Sequence, residues 1–137
     1  MSTGFEWPVR VYFEDTDTAG VVYYANYLKF MERARTEWLR SLGFEQDVLM
    51  EQYGIVFAVR RAAVDYLAPA RFNDRLVVDC RIERAGRASI EFEQRVRRAG
   101  EEAPLVTGRI KLACIDMHGL RPAPIPEPIQ EAIQSVL

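Results

Sequence analysis

The amino-acid sequence predicts an α+β domain: one long helix against an antiparallel sheet of about five strands. Three observations predict it. A single stretch, from about Val22 to Leu42, repeats its apolar residues at spacings of three and four. Several later segments alternate apolar and polar residues with a period of two. No second long helical pattern is present to sandwich the sheet from its other side.

The elements follow in order. Residues 8–14 alternate, with Val9, Val11 and Phe13 on one side, and read as a first strand ending at an acidic cluster. The long helix then carries Tyr24, Tyr27, Leu28, Met31, Ala34, Trp38 and Leu42 on its apolar face, and Gly43 supplies a stop. Its other face bears Lys29, Glu32, Arg33, Thr36, Glu37 and Arg40, with Lys29–Glu32 and Glu37–Arg40 as neighbours of opposite charge, and reads as solvated. A short helical turn is expected near 45–52, followed by a long strand in GIVFAVRRAAVDYL that Pro69 ends. RLVVDCRIE and ASIEFEQRV alternate and are joined by RAGR, which suggests a hairpin. A last strand runs through Val106, Ile110, Leu112 and Cys114. The proline-rich RPAPIPEP cannot continue a ladder and leads into a terminal helix over Glu127 to Val136. The sheet face away from the helix and its edge strands still need cover, so a homo-oligomer is expected.

Length and composition bound the function. A chain of 137 residues with no internal repeat or long linker reads as a single domain over 1–137. A formal charge of −2 gives no general attraction for nucleic acid. No apolar run approaches the roughly 18 residues of a membrane span, and the N-terminus lacks a secretory pattern. The expected setting is therefore cytoplasmic, with no nucleic acid and no membrane insertion. Cys80 and Cys114 each sit in an alternating apolar stretch and read as reduced core thiols. His118 is the single histidine, so a paired-histidine zinc site cannot form within one chain, and it reads as structural or surface. No phosphate loop, dinucleotide fingerprint or G-x-S-x-G elbow occurs, which leaves carboxylates as the leading catalytic groups.

The acidic cluster DTDTAG, residues 15–20, admits three readings. As a calcium loop it fails, because Ala19 stands at the fifth position, where an oxygen ligand belongs, and Asn26 at the twelfth, where a bidentate Glu belongs. As a helix cap it is ordinary. As chemistry, a carboxylate beside open first-turn amides makes an anion-stabilising pocket with a base in it.

The run VYFEDTDTAGVVYYANYLKFMERARTEWLR, residues 11–40, resembles the signature of small hotdog-fold acyl-CoA thioesterases of the 4-hydroxybenzoyl-CoA thioesterase type. Within them it is most similar to the bacterial branch associated with the Tol-Pal system. The likeness continues through GIVFAVRRAAVDYLAPARFNDRLVV and carries the pattern Asp15-x-Asp17-x-x-Gly20-x-x-Tyr23-Tyr24-x-x-Tyr27. The resemblance implies a hotdog fold, a central helix wrapped by an antiparallel sheet, and dimers or tetramers with sites between subunits. It implies hydrolysis of an acyl-CoA thioester, short aliphatic or aromatic, with no metal and no cofactor. Asp17 takes the position of the nucleophile or general base, the backbone N–H of Tyr24 that of the oxyanion donor, and Gly20 that of the turn. Tyr23 and Asn26 fall beside the substrate, and Arg87 and Ser89 align with a segment that contacts the CoA nucleotide. Asp15 is expected to hold the turn. Many members carry His where Tyr24 stands, so an imidazole-assisted step is not available there.

Tyr12, Phe57 and Tyr66 are candidates to line an acyl pocket, although core packing is the ordinary use of each. An acyl carrier protein is a further partner the resemblance admits. A non-catalytic module binding an acyl carrier or an envelope-biogenesis partner is the alternative function, and retention of Asp17 and Gly20 argues against it. A hydratase on the same fold would want a histidine near the acidic motif, and His118 is distant from it in sequence.

Overall fold

The fold is built around the apolar stripe of one helix. In the computed structural model, residues 4–137 are described. The elements run β1 (Phe5–Arg10), a 3-10 turn (Phe13–Asp15), α1 (Asn26–Ser41), α2 (Gln46–Tyr53), β2 (Ile55–Tyr66), β3 (Arg75–Ala85), β4 (Ser89–Arg98), β5 (Pro104–Asp116) and α3 (Glu127–Val136). The strands form one antiparallel sheet in the order β1-β3-β4-β5-β2. This is the α+β class and the hotdog arrangement expected from the sequence.

α1 buries Tyr27, Phe30, Met31, Ala34, Arg35, Trp38 and Leu39. Those positions fall on successive i, i+3, i+4 steps, so the stripe faces one direction. It meets the inward residues of the strands, among them Leu76, Val78 and Cys80 on β3, Ile90, Phe92 and Val96 on β4, and Val106, Ile110 and Leu112 on β5. Burying a side chain such as Phe30 or Met31 contributes about 1.5–3 kcal/mol. Helix and sheet approach closely because position 108 has no side chain: a Cβ there would lie 3.0 Å from Met31 Cε. Leu28, expected on the apolar face, is exposed, whereas Phe30, Arg35 and Leu39 complete the stripe. Glu37 pairs with Arg40 at 2.5 Å, while the Glu32 carboxylate accepts a hydrogen bond from Thr36 Oγ1 at 3.0 Å.

Three expectations need correction. The first strand spans Phe5–Arg10 rather than 8–14. Pro8 is accommodated because β1 is an edge strand, and Phe13 lies in the 3-10 turn, 80% exposed. The helix begins at Asn26, not Val22, because Val22 N–H is drawn into a hydrogen bond with the Ala70 carbonyl (2.8 Å) across the fold. The outer sheet face does not need an apolar cover. It is laced by cross-strand ion pairs, with Arg81 on Glu93, Arg84 on Glu91, Arg95 on Asp79, and Arg109 on both Glu83 and Glu93. Such exposed pairs contribute little individually, but they make the face compatible with water.

Strand polarity sets two ends. Arg10, Arg75, Arg98, Pro104 and Tyr66 terminate strands at one end, where the loop leading into α1 sits; Ala85, Ser89, Asp116 and Ile55 lie at the other. α3 is fastened at that second end, with Ile125 N–H on the Arg87 carbonyl and Gln130 Nε2 on the Gly86 carbonyl, both 2.8 Å. No helix among the described residues is long and apolar enough to cross a membrane.

Both cysteines are free and buried, and burial pushes the Cys80 thiol up to about 12 and Cys114 up to about 11. Only the thiolate is reactive. At pH 8 neither should react with a disulfide reagent in the native protein over minutes, and both should react at once in denaturant. Rapid native labelling of either would contradict the packing described.

Candidate active site

The loop from Val11 to Ala25 is held by its own backbone and carboxylate groups and by the segment from Ala70 to Asp74. Asp15 Oδ2 accepts the Tyr12 N–H at 2.8 Å. The Asp15 carbonyl accepts two donors at 2.9 Å each, the Tyr23 N–H and Asn26 Nδ2. Asp15 thus ties the 3-10 turn to the head of α1 through its carbonyl, while its half-buried carboxylate holds the start of that turn through Oδ2.

Asp17 stands differently. It opens a tight turn in which Gly20 N–H reaches the Asp17 carbonyl (3.0 Å), Asp17 N–H reaches the Val21 carbonyl (2.9 Å), and Ala19 N–H reaches Asp17 Oδ1 (2.9 Å). Gly20 has φ 79°, the left-handed region that favours glycine. A Cβ there would meet no atom within 4 Å, so its requirement is conformational rather than steric. Thr16 and Val22 close the small hairpin, and Val21 bridges to Arg71. Asp17 is exposed in the single chain, and its Oδ2 has no donor among the described residues. One carboxylate oxygen is therefore held and the other is free.

The chain then turns into α1. Asn26 N–H donates to the Tyr23 carbonyl (2.8 Å) and Leu28 N–H to the Ala25 carbonyl (3.2 Å), while the amides of Tyr24 and Ala25 have no acceptor among the described residues. Tyr24 lies just ahead of the helix rather than in its first turn, because Ala25 is the N-cap. The open amides nevertheless sit at the positive end of a 16-residue helix. The Ala25 amide was not singled out from the sequence. Its signal is only positional, since an N-cap without a side-chain acceptor leaves neighbouring donors free.

Aromatic rings pack around this turn. Tyr23 and Tyr24 have centroids 5.0 Å apart, and Tyr66 lies 5.8 Å from both Tyr24 and Tyr27. Burial raises the Tyr66 phenol, with Tyr24 adding to the effect, and burial is also the largest cause of the rise at Tyr27. Both phenols are neutral at physiological pH. Tyr27 Oη accepts the Ala70 N–H at 2.9 Å, which fixes the neighbouring loop to the helix. Val22, Tyr24, Tyr27, Tyr66, Leu67 and Pro69 border an open cavity of about 270 Å³. Tyr12 and Tyr66 are exposed and so are not core residues, whereas Phe57 is half-buried and packs against the core, the ordinary use of its type.

Asp17, Gly20, Tyr23, Tyr24 and Asn26 come together at one end of the sheet. Tyr23 is exposed, and the Asn26 amide nitrogen is engaged by Asp15. Arg87, which is exposed, and Ser89 lie in the β3–β4 hairpin at the opposite end. β4 alone spans ten residues, about 30 Å at the usual rise per residue. One chain does not unite the hairpin with Asp17.

The chain has relatives with the same architecture. The family model of the thioesterase-like superfamily matches residues 11–133. A curated relative from Haemophilus influenzae, acyl-CoA thioesterase YbgC, is 42% identical over 132 residues, covering 96% of each chain. Among solved structures, a 1,4-dihydroxy-2-naphthoyl-CoA thioesterase from Synechocystis superposes with a TM-score of 0.88 at 29% identity, covering 96% of each chain. A probable thioesterase from Bartonella henselae superposes at 0.85 with 35% identity, covering 90% of this chain and 99% of that one. With a family model spanning nearly the whole chain and close relatives matched from end to end, this protein belongs to the thioesterase-like superfamily, as a hotdog-fold thioester hydrolase.

Proposed function

We propose that the protein hydrolyses an acyl-CoA, short aliphatic or aromatic, to the free acid and CoA, with Asp17 as nucleophile or general base and the Tyr24 N–H as oxyanion donor. The observation that carries this reading is an exposed carboxylate at Asp17 in the same loop that ends in the open amides of Tyr24 and Ala25. The curated relative from Haemophilus influenzae and the solved relative from Synechocystis are both named for CoA thioester hydrolysis, which supports the substrate class.

The chemistry follows from where charge develops. Attack on the thioester carbon moves an electron pair onto the carbonyl oxygen, and preorganised N–H groups aimed at that oxygen lower the barrier. In the nucleophilic route, Asp17 Oδ2 bonds to the carbonyl carbon, CoA thiolate departs, and water cleaves the resulting anhydride. In the general-base route, Asp17 takes a proton from water as the water attacks, and the thiolate leaves directly. Both routes end in acid and CoA.

The full site is built between copies. β2 is a 12-residue edge strand with exposed Val59 and Tyr66, and such an edge is a template for pairing with a second copy. Assembly covers the exposed Asp17 turn and lets the Arg87–Ser89 hairpin of another copy approach the CoA phosphates. Light scattering should therefore give a mass that is a multiple of the 15.8 kDa chain, and a stable monomer would oppose this assembly.

Free-thiol release from acyl-CoA and carrier-protein thioesters tests the activity. We expect turnover on at least one acyl-CoA and a loss of about 10²-fold or more in Asp17→Asn. Undiminished Asp17→Asn activity, or an inert wild type, would overturn the reading. Gly20→Ala should fold with a stability loss of about 1 kcal/mol from its left-handed φ, measurable by urea denaturation. A loss near zero would show that the turn adapts.

A further inference from the structure

The buried stripe of α1 contains one charge. Arg35 is 8% exposed, and its Nη1 donates to Gln94 Oε1 at 2.9 Å. Gln94 is fully buried and locked in that orientation, because its Nε2 donates to the Met31 carbonyl and to Cys80 Sγ, both at 3.1 Å. No carboxylate forms an ion pair with Arg35 among the described residues, and the Glu32 carboxylate accepts a hydrogen bond from Thr36 instead. A buried charge with a single neutral partner is costly and is ordinarily compensated.

The uncompensated side faces a cleft. Nε and Nη2 of Arg35 have no acceptor among the described residues, yet no sealed side-chain nitrogen or oxygen there lacks a partner, so these nitrogens are reachable. Arg35 lines a cavity of about 90 Å³ between α1 and the sheet, with Phe57, Val59, Ile90, Phe92 and Leu112 in its apolar lining and Glu32, Thr36 and Gln46 in its polar one. That is space on the scale of a short acyl group. A mixed lining in which Arg35 is the one cation, with a planar fork of donors beside apolar side chains, suits a chain that ends in an oxygen acceptor.

Phe57 and Val59 lie on β2, toward the end away from Tyr66. Two copies pairing antiparallel along this edge, about a twofold axis perpendicular to the strands, bring the Tyr66 end of one strand, with its Asp17 loop, toward the Phe57 end of the other. The cleft of one copy then faces the catalytic turn of its neighbour.

We propose that Arg35 determines specificity by recognising an oxygen atom, hydroxyl or carboxylate, at the distal end of a short acyl group whose thioester is held at Asp17 of the adjoining copy. This rests on the thioesterase reading and on pairing along β2. It distinguishes a polar short acyl group from an apolar one of the same length, since a group lacking the acceptor leaves the guanidinium unpaired.

The test compares kcat/KM for butyryl-CoA, 3-hydroxybutyryl-CoA and succinyl-CoA. In the wild type, at least one oxygen-bearing substrate should exceed butyryl-CoA by about tenfold or more, and which one leads identifies a neutral or anionic acceptor. In Arg35→Met that ratio should fall to about one, with Arg35→Lys between, because lysine keeps the charge but not the fork. Thermal melting reports whether each variant folds, and where Arg35→Met does not, the wild-type ratio and Arg35→Lys decide. A wild-type ratio near one, or a ratio retained in a folded Arg35→Met, would overturn the proposal. If no acyl-CoA is turned over at all, the thioesterase reading fails separately. Thermal shift with free 3-hydroxybutyrate, succinate and butyrate then decides, stabilisation by either of the first two beyond butyrate supporting the Arg35 site and equal responses refuting it.

Discussion

The burial of one helix's apolar stripe in the hollow of one sheet is the constraint on which everything else depends. α1 contributes Tyr27, Phe30, Met31, Ala34, Trp38 and Leu39 to a core shared with β3, β4 and β5. Its depth of contact is set by the missing side chain at Gly108, against which Met31 packs. Once α1 is fixed in this way, its N-terminus emerges where β3 begins and β2 ends. The amides at the head of α1 therefore appear beside the loop that carries Asp17, and the proposed chemistry inherits its position from the core.

A second layer of constraint acts on the loop. Two donors on the Asp15 carbonyl, one backbone and one from Asn26, join the approach of the chain to the start of the helix. Each such hydrogen bond contributes on the order of 1 kcal/mol net, and their larger effect is directional. Each of the two carboxylates accepts one backbone N–H, but Asp15 is half-buried within the turn and Asp17 is exposed, so neighbouring residues of the same type have different uses. The helix end then supplies fixed dipoles that need no reorganisation when charge appears.

Much of the fold was legible because its periods are clean. The strands alternate, and the terminal helix Glu127–Val136 was bounded correctly by its proline-rich approach. The start of α1 was not legible. Val22 and Tyr24 continue the apolar rhythm, and only the long-range bond from Val22 to Ala70 keeps that segment out of the helix. Asp17 and Tyr24 were nominated by resemblance, and Ala25 was invisible because a backbone amide leaves no mark in its residue type. The hairpin at Arg87 was readable as a hairpin, but its distance from Asp17 depends on the strand order β1-β3-β4-β5-β2, which local pattern does not encode. Arg35 lies four residues after Met31 and four before Leu39. That spacing, rather than its charge, is the signal of its burial.

The most direct test of the account is a crystal structure with a non-hydrolysable acyl-CoA analogue in which a methylene separates carbonyl and sulfur. The account predicts the analogue's carbonyl oxygen about 2.7–3.1 Å from the Tyr24 amide nitrogen, with the Asp17 carboxylate against its carbonyl carbon or an intervening water. A carbonyl bound away from both groups, with the Tyr24 amide still open, would contradict it.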